Sequence, residues 1–389
     1  MIDKLFSKLS KKFTCPYCYA EHCITECGLR CSYNVIGQPD KKCKFDIKKY
    51  DDTDGTRDWI PLANKKKCLD CKEATQHIFC PIYKDKEIPI EFLSMKSLPI
   101  ALLGAKASGK SNYIGVLVNE IRKTMTGPFN CSLSLVCSQE SKKAYDQYYY
   151  KPLFIEGYTA SATTGAVIVP PMIFPLRFMN DKKKIVNMTA LTFYDTAGEN
   201  LDDDKVMQQF NRYITNAKGI ILLLDPLQVP VIRKKLTANG FTDLPAENTE
   251  INIVLSRIYK LISDMKKVKD ISIPLALVFT KIDVLEQYNI LPPDSCLKTE
   301  SEHVNCGSFV KYDFENTNIQ MKDLIENWLD DELIRMIDHF KYHSFFGVTA
   351  LGGSPIGDKI DKNGIQPRRV LDPLLWLLAE NKYIKTTKK

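Results

Sequence analysis

No stretch of this 389-residue chain stays apolar for the roughly 20 residues that a membrane-crossing helix requires. The start lacks a hydrophobic secretory segment. Met1 to Lys12 is instead a short basic amphipathic stretch, with Ile2, Leu5, Phe6 and Leu9 on one side, expected to pack on its own protein. There is no internal repeat, and no low-complexity tract beyond a few lysine clusters. No basic run is interleaved with aromatics. The net charge of +7 therefore admits acidic partners without favouring nucleic acid. These absences leave a cytoplasmic chain, 44% hydrophobic and 26% charged, long enough for one large or two moderate cores.

What is present is unevenly spread. Nine of the 13 cysteines precede residue 81, which marks residues 1–92 as a separate module. Without a secretion signal, metal binding is a better reading than disulfides. Cys15-x-x-Cys18 and Cys68-x-x-Cys71 have the spacing that lets two thiolates reach one tetrahedral zinc ion. Cys31, Cys43 and Cys80 are further expected ligands, with Cys23, Cys27, His22 and His77 in reserve. A local pairing puts Cys15, Cys18, Cys31 and Cys43 on one Zn²⁺, and Cys68, Cys71 and Cys80 on a second. A rival pairing joins both knuckles in one ribbon. Either way the metal staples a small fold or presents it to a partner. Cys131, Cys137, Cys296 and Cys306 are scattered and read as buried bystanders.

Residues 93–389 begin a different pattern. The apolar run Leu98 to Leu103 reads as a buried strand, and Asn112 to Thr124 carries apolar residues at helical spacing. Between them, Gly104-Ala105-Lys106-Ala107-Ser108-Gly109-Lys110-Ser111 fits G-x-x-x-x-G-K-[ST]. A loop so placed cradles phosphates. Gly104, Ala107, Ser108, Gly109 and the helix start Lys110, Ser111 and Asn112 contribute the cradle, the Lys110 ammonium meets the β- and γ-phosphates, and the Ser111 hydroxyl meets Mg²⁺.

Two further strands end in chemistry. Leu191 to Glu199 runs into Asp195-Thr196-Ala197-Gly198, where Asp195 can hold Mg²⁺ through water and Gly198 can offer an unobstructed N–H to a γ-phosphate. Leu275 to Asp283 ends in Thr280-Lys281-Ile282-Asp283. A carboxylate there can accept from the N1–H and 2-amino groups of guanine, a pair that adenine lacks, while the Lys281 stem lies along the base.

In this order the three segments resemble the Ras-like (TRAFAC) class of GTPases over residues 97–389. The resemblance implies an α/β P-loop GTPase fold, GTP and GDP as ligands, Mg²⁺ as cofactor and slow GTP hydrolysis as activity. It further implies that Thr163 or Thr164 completes the Mg²⁺ shell, and that Thr349-Ala350 backs the guanine. The layout is more closely similar to bacterial GTPases with an N-terminal cysteine-rich module, related to double-GTPase proteins of conflict and antiviral defence systems. Cys15-Pro16-Tyr17-Cys18, Leu222 to Gln228 and Asp372 to Leu378 carry that likeness, and one GTPase unit is present rather than two. Where such chains carry a final C-P-x-C, this one has Cys80-Pro81-Ile82-Tyr83, so His77 replaces the missing thiol or the second site is lost. Glu199 stands where Ras-like enzymes have a water-orienting glutamine, and Lys106 is either an in-built transition-state cation or a solvent-facing side chain. An ATPase on the same fold, or a nucleotide-stabilised scaffold, are the alternatives. A protein partner at the zinc module or switch loops, and self-association, are compatible with all of these.

The expected elements are strands at 98–103, 130–137, 172–178, 187–194, 219–224, 274–280 and 344–349. The expected helices are 110–124, 139–150, 203–216, 250–267, 319–341 and 369–381. Such alternation builds a mostly parallel sheet covered by helices. Asn180 to Lys184 reads as a hairpin turn, and 226–249 and 284–318 as long irregular insertions.

Overall fold

The computed structural model describes residues 12–30, 60–61, 77–84, 86–88, 92–93, 96–104, 108–134, 139–160, 172–193, 211–245 and 251–387. The chain divides into two compact units, Met1–Pro99 with Met188–Leu191, and Ile100–Asn187 with Thr192–Lys389. Among the described residues no helix is long and apolar enough to cross a membrane.

The smaller unit is built of short strands. β1 (Lys12–Thr14) and β2 (Glu21–Cys23) pair antiparallel, with Phe13 opposite His22. A second sheet has the order β4-β3-β5-β6, formed by β3 (Gly28–Arg30), β4 (Ile60–Pro61), β5 (His77–Phe79) and β6 (Glu87–Ile88). β3 and β5 pair with Gly28 opposite Phe79. That register returns the chain to the first cysteine knuckle after some fifty residues.

A seven-stranded sheet organises the rest. Its order is β14-β12-β11-β7-β10-β9-β8. The members are β7 (Lys96–Gly104), β8 (Cys131–Leu133), β9 (Met172–Met179), β10 (Ile185–Phe193), β11 (Gly219–Leu224), β12 (Leu275–Phe279) and β14 (His343–Gly347). β7, β11, β12 and β14 are mutually parallel. Their apolar runs are buried along their length, Ile220 to Leu224 and Leu275 to Phe279 at 2% exposure or less, as strands covered on both faces require. β9 and β10 are joined by the tight turn at Asn180 to Lys184, and β8 pairs antiparallel on β9. From β7 the chain first builds one side of the sheet and then crosses to β11 on the other. Ligands bind open α/β sheets at such a reversal, beyond the C-terminal ends of the strands.

α1 (Lys110–Glu120) follows β7 and continues as a π-turn to Met125. It is buried on nearly every side rather than on one stripe. Tyr113 donates to the Val370 carbonyl at 3.0 Å and Tyr145 donates to the Gly115 carbonyl at 3.1 Å. A Cβ on Gly115 would meet Leu153 Cδ1 at 2.4 Å, so the glycine lets α2 (Gln139–Tyr145, continued as a π-helix to Glu156) lie against α1.

Three expectations change. The helix expected at 319–341 is two helices: α7 (Lys311–Trp328) and α8 (Asp331–Asp338). Asp330 breaks it by accepting the Leu333 N–H at 2.9 Å as a helix cap. The insertions expected to be irregular also carry regular structure. The first holds α3 (Pro230–Ala238), ahead of α4 (Ile251–Lys266). The second holds most of α5 (Ile282–Gln287), α6 (Glu302–Cys306), β13 (Phe309–Val310) and the start of α7. β13 pairs with β15 (Thr386–Thr387), beyond the last helix α9 (Asp372–Glu380). Of the scattered cysteines, Cys131 is buried, Cys296 half-buried and Cys306 exposed, so burial does not hold for all of them.

Candidate functional site

The glycine loop sits where the sheet reverses. β7 ends at Gly104, and a Cβ there would meet Ser108 Oγ at 2.5 Å and the Leu223 carbonyl oxygen at 2.9 Å. Ser108 and the end of β11 therefore come this close to position 104 only because the residue is glycine. Gly109 has φ 83°, a left-handed turn that delivers the chain into α1 at Lys110. Ser108 is 1% exposed, and its hydroxyl has no hydrogen-bond partner among the described residues. An orphaned buried hydroxyl beside a glycine turn and the start of an eleven-residue helix fits an anion. The fold is mixed α/β, with a large, mostly parallel sheet flanked by helices.

β12 closes the other end of this edge. Thr280 donates to the Ser108 carbonyl at 3.1 Å and to the Leu224 carbonyl at 3.2 Å, which ties the T-K-x-D segment to the glycine loop. Lys281 takes a left-handed conformation, φ 55°, and caps α5. Its ammonium lies 2.6 Å from Asp225 Oδ2, a side chain only 2% exposed. Asp225 follows β11 directly and also accepts the Leu227 N–H at 2.9 Å. The sequence reading missed this partner. It follows from strand adjacency: Leu224 is in register with Phe279, so Asp225 and the Thr280-Lys281 pair leave neighbouring strands together.

Asp283 occupies the first turn of α5. Burial raises its carboxyl above the ordinary carboxylate range, against the Thr349 hydroxyl and the nearby Arg368 and Lys281 cations. Its N–H donates to Thr349 Oγ1 at 3.1 Å. Thr349 follows β14 and exchanges both backbone hydrogen bonds with Arg368, whose guanidinium meets Glu286 at 2.5 Å. The Thr349-Ala350 loop, Lys281 and Asp283 are thus gathered on one side of the glycine loop.

Asn112 gives its side-chain oxygen to the Ala160 N–H at 2.8 Å, so its amide holds the entry to the segment bearing Thr163 and Thr164. Lys106, Ala107, Thr163, Thr164, Asp195, Gly198 and Glu199 lie outside the described residues.

No family model matches the chain. It is 23% identical over 301 residues to the "Putative ESX-1 scaffolding and assembly protein SaeC" of Mycolicibacterium smegmatis, covering 72% of this chain and 74% of that protein. Among solved structures it matches the S. cerevisiae Ski7 GTPase-like domain bound to GTP, at 15% identity and TM-score 0.32, over 74% of this chain and 50% of that one. It also matches Sup35 complexed with GDP, at 11% identity and TM-score 0.23, over 70% and 41%. The chain spans half or less of these solved structures and superposes on them loosely.

Two clusters of metal-capable side chains occur among the described residues. In the smaller unit, the sulfurs of Cys15, Cys18 and Cys80 lie within 4.8 Å of one another, all buried. This corrects the local pairing that sent Cys80 to a second site with Cys68 and Cys71. The β3–β5 register brings Cys80 back to the first knuckle. Hydrogen bonds from the Cys15 and Cys18 thiols, joined by the Tyr83 and Ile82 N–H groups, hold the Cys80 thiol well below its ordinary range, whereas burial lifts Cys15. Cys31, Cys43, Cys68 and Cys71 lie outside the described residues.

The other cluster, His303 with Asp313 and Asp372, is occupied by the protein itself. Arg369 grips Asp313 with two bonds of 2.8 and 2.9 Å and Asp372 with one of 2.9 Å. His303 Nδ1 accepts the Val310 N–H at 3.0 Å, which puts the ring proton on Nε2 and removes that nitrogen as a metal ligand. This network braces α6, α7 and α9.

Proposed function

We propose that the chain binds guanine nucleotide at the edge formed by β7, β11 and β12, and that it hydrolyses GTP slowly as a Mg²⁺-dependent switch. One observation carries the reading. The glycine loop and the Lys281–Asp283 segment lie on the same sheet edge, tied by the Thr280–Ser108 hydrogen bond. A triphosphate and its base are thereby engaged from one rigid frame.

Each residue has a task. Backbone N–H groups from Ala107 to Asn112 hold phosphate oxygens, and the Lys110 ammonium neutralises the β- and γ-phosphates. Asp283 accepts the two guanine donors, and its partial burial strengthens those bonds. Lys281, anchored by Asp225, lies along the base, and Ala350 covers it. Bound Mg²⁺ supplies charge neutralisation between the β- and γ-phosphates, and Ser111, Thr163 or Thr164 and Asp195 are the residues to hold it. Gly198 senses the γ-phosphate, and Glu199 orients the attacking water with Lys106 offsetting transition-state charge. Loss of the γ-phosphate then releases 157–165 and 196–205, and Asn112 makes the phosphate helix the anchor of the first of these.

A second reading shares the pocket but not the turnover. The SaeC relative is named for scaffolding and assembly, and Glu199 brings a negative charge toward the γ-phosphate. Both favour a nucleotide-stabilised scaffold. Competition of GTP against ATP for the purified protein, followed by single-turnover hydrolysis with and without Lys106→Ala, separates these readings. GTP preference with measurable turnover supports the switch. Bound GTP that survives uncleaved for hours supports the scaffold, and ATP preference removes the guanine assignment.

A further inference from the structure

Three buried thiols close together make three-quarters of a tetrahedral metal site, and the fourth ligand is the open question. The turn after Cys80 has no second thiol to give, since position 83 is tyrosine. Its N–H meets the Cys80 sulfur at 3.3 Å, as a metal-binding knuckle requires. His22 comes from the other direction. It stands on β2 with its side chain 11% exposed, and its Nε2 lies 3.1 Å from Cys18 Sγ. Bonds of about 2.3 Å to sulfur and about 2.1 Å to nitrogen put two ligands on one tetrahedral ion about 3.6 Å apart. The ring is already at that range from Cys18, but it stands outside the 4.8 Å cluster of the three sulfurs, so binding the ion draws the imidazole inward toward Cys15 and Cys80.

The opposite side of the ring is also built. His22 Nδ1 lies 3.2 Å from Glu26 Oε2, and the same oxygen accepts the Cys23 N–H at 3.1 Å. The short helical turn Ile24–Glu26 folds the carboxylate back onto the ring. An Nδ1–H given to a carboxylate leaves the Nε2 lone pair pointing away from it, toward Cys18. That arrangement fixes the tautomer of histidines that ligate zinc. Cys27, also buried, turns its sulfur to the Cys23 carbonyl at 3.7 Å instead.

We propose that Cys15, Cys18, Cys80 and His22 hold one zinc ion, with Glu26 orienting the histidine. The remaining thiol protons leave to solvent as the ion binds, and the closed four-ligand set makes the site structural rather than catalytic.

The test uses the full chain, stripped of metal and titrated with Co²⁺ as a spectroscopic stand-in for zinc, with zinc affinity read by competition against a chromophoric chelator. His22→Cys should keep the metal and add one thiolate to the Co²⁺ charge-transfer band. His22→Gln should lose affinity by more than tenfold, Glu26→Gln by about 10–100-fold, and Cys27→Ser should change neither affinity nor spectrum. A wild-type spectrum unaltered by His22→Cys would overturn the assignment in favour of a fourth thiolate from elsewhere in the module. So would an unchanged affinity in His22→Gln. If His22→Gln does not fold, the His22→Cys spectrum decides alone.

Discussion

The Lys281 ammonium sits 2.6 Å from the Asp225 carboxylate, although 56 residues separate them in sequence. The pair joins the ends of β11 and β12, and Asp225 is the buried member. Asp225→Asn keeps the cap on Leu227 but removes the charge that positions Lys281. Hydrogen bonds to charged groups are worth about 1.5–3 kcal/mol, and the partial exposure of Lys281 lowers this. The expected loss is about 1 kcal/mol in urea stability and roughly tenfold in guanine nucleotide affinity, read by fluorescent GDP titration. Unchanged affinity would show that Lys281 orients itself.

Gly104→Ala tests whether the loop must fold against β11. The new methyl would strike Ser108 Oγ and the Leu223 carbonyl. Overpacking of this kind costs about 1–3 kcal/mol. Thermal unfolding should report that loss, and GDP titration should show binding reduced beyond it, because relief of the clash displaces Ser108 from the proposed phosphate cradle.

Arg369 is the hub of the second long insertion. It also donates to the carbonyls of Thr299 and Glu300, at 3.0 and 3.3 Å. Arg369→Ala leaves Asp313 and Asp372 buried without their cation, a loss of about 3–5 kcal/mol by denaturant unfolding. Arg369→Lys should recover little, since one ammonium cannot reproduce the fork. A variant within about 1 kcal/mol of the parent would contradict the bracing role.

The same network sets an acid limit. Burial lowers the His303 pKa beneath its ordinary 6.5, with the Asp372 and Asp313 carboxylates opposing. The unfolded chain therefore binds a proton that the folded chain refuses, and stability falls as pH drops below about 6.5. Burial lifts Asp313, but Arg369 outweighs it and the net pKa lies below the usual 3.8, so a second loss begins only below that value. Urea unfolding from pH 8 to pH 4 should show the first decline in the parent. His303→Gln should flatten it, and an unaltered slope would place the titration elsewhere.

Much of this was legible in the chain because single residues carry it. Leu98 to Leu103 can only be a buried strand. Gly104 and Gly109 mark the loop, and Ile251 to Lys266 shows its helical period. Pairings set by strand neighbours were less legible. Asp225 meets Lys281 because β11 and β12 are adjacent, and Cys80 joins Cys15 and Cys18 because β5 pairs with β3. The break between α7 and α8 lay in plain view at Asp330, where a capping carboxylate competed with an otherwise continuous apolar period and prevailed. Polarity between 284 and 318 suggested an irregular insertion, yet Arg369 supplies from a distance, through Thr299, Glu300 and Asp313, the order that local hydrophobicity lacks.

The most direct test of the account exchanges Asp283, the proposed base reader. Asp283→Asn replaces two acceptors by an acceptor and a donor, which suits a purine with a 2-oxo group in place of the 2-amino group. Equilibrium titration with GDP and with xanthosine diphosphate should show GDP binding weakened by about 100-fold or more and the xanthine nucleotide now preferred, in keeping with roughly 3 kcal/mol for two bonds to a charged acceptor. Equal GDP affinity in the parent and Asp283→Asn, or no guanine nucleotide binding by the metal-replete parent, would contradict it.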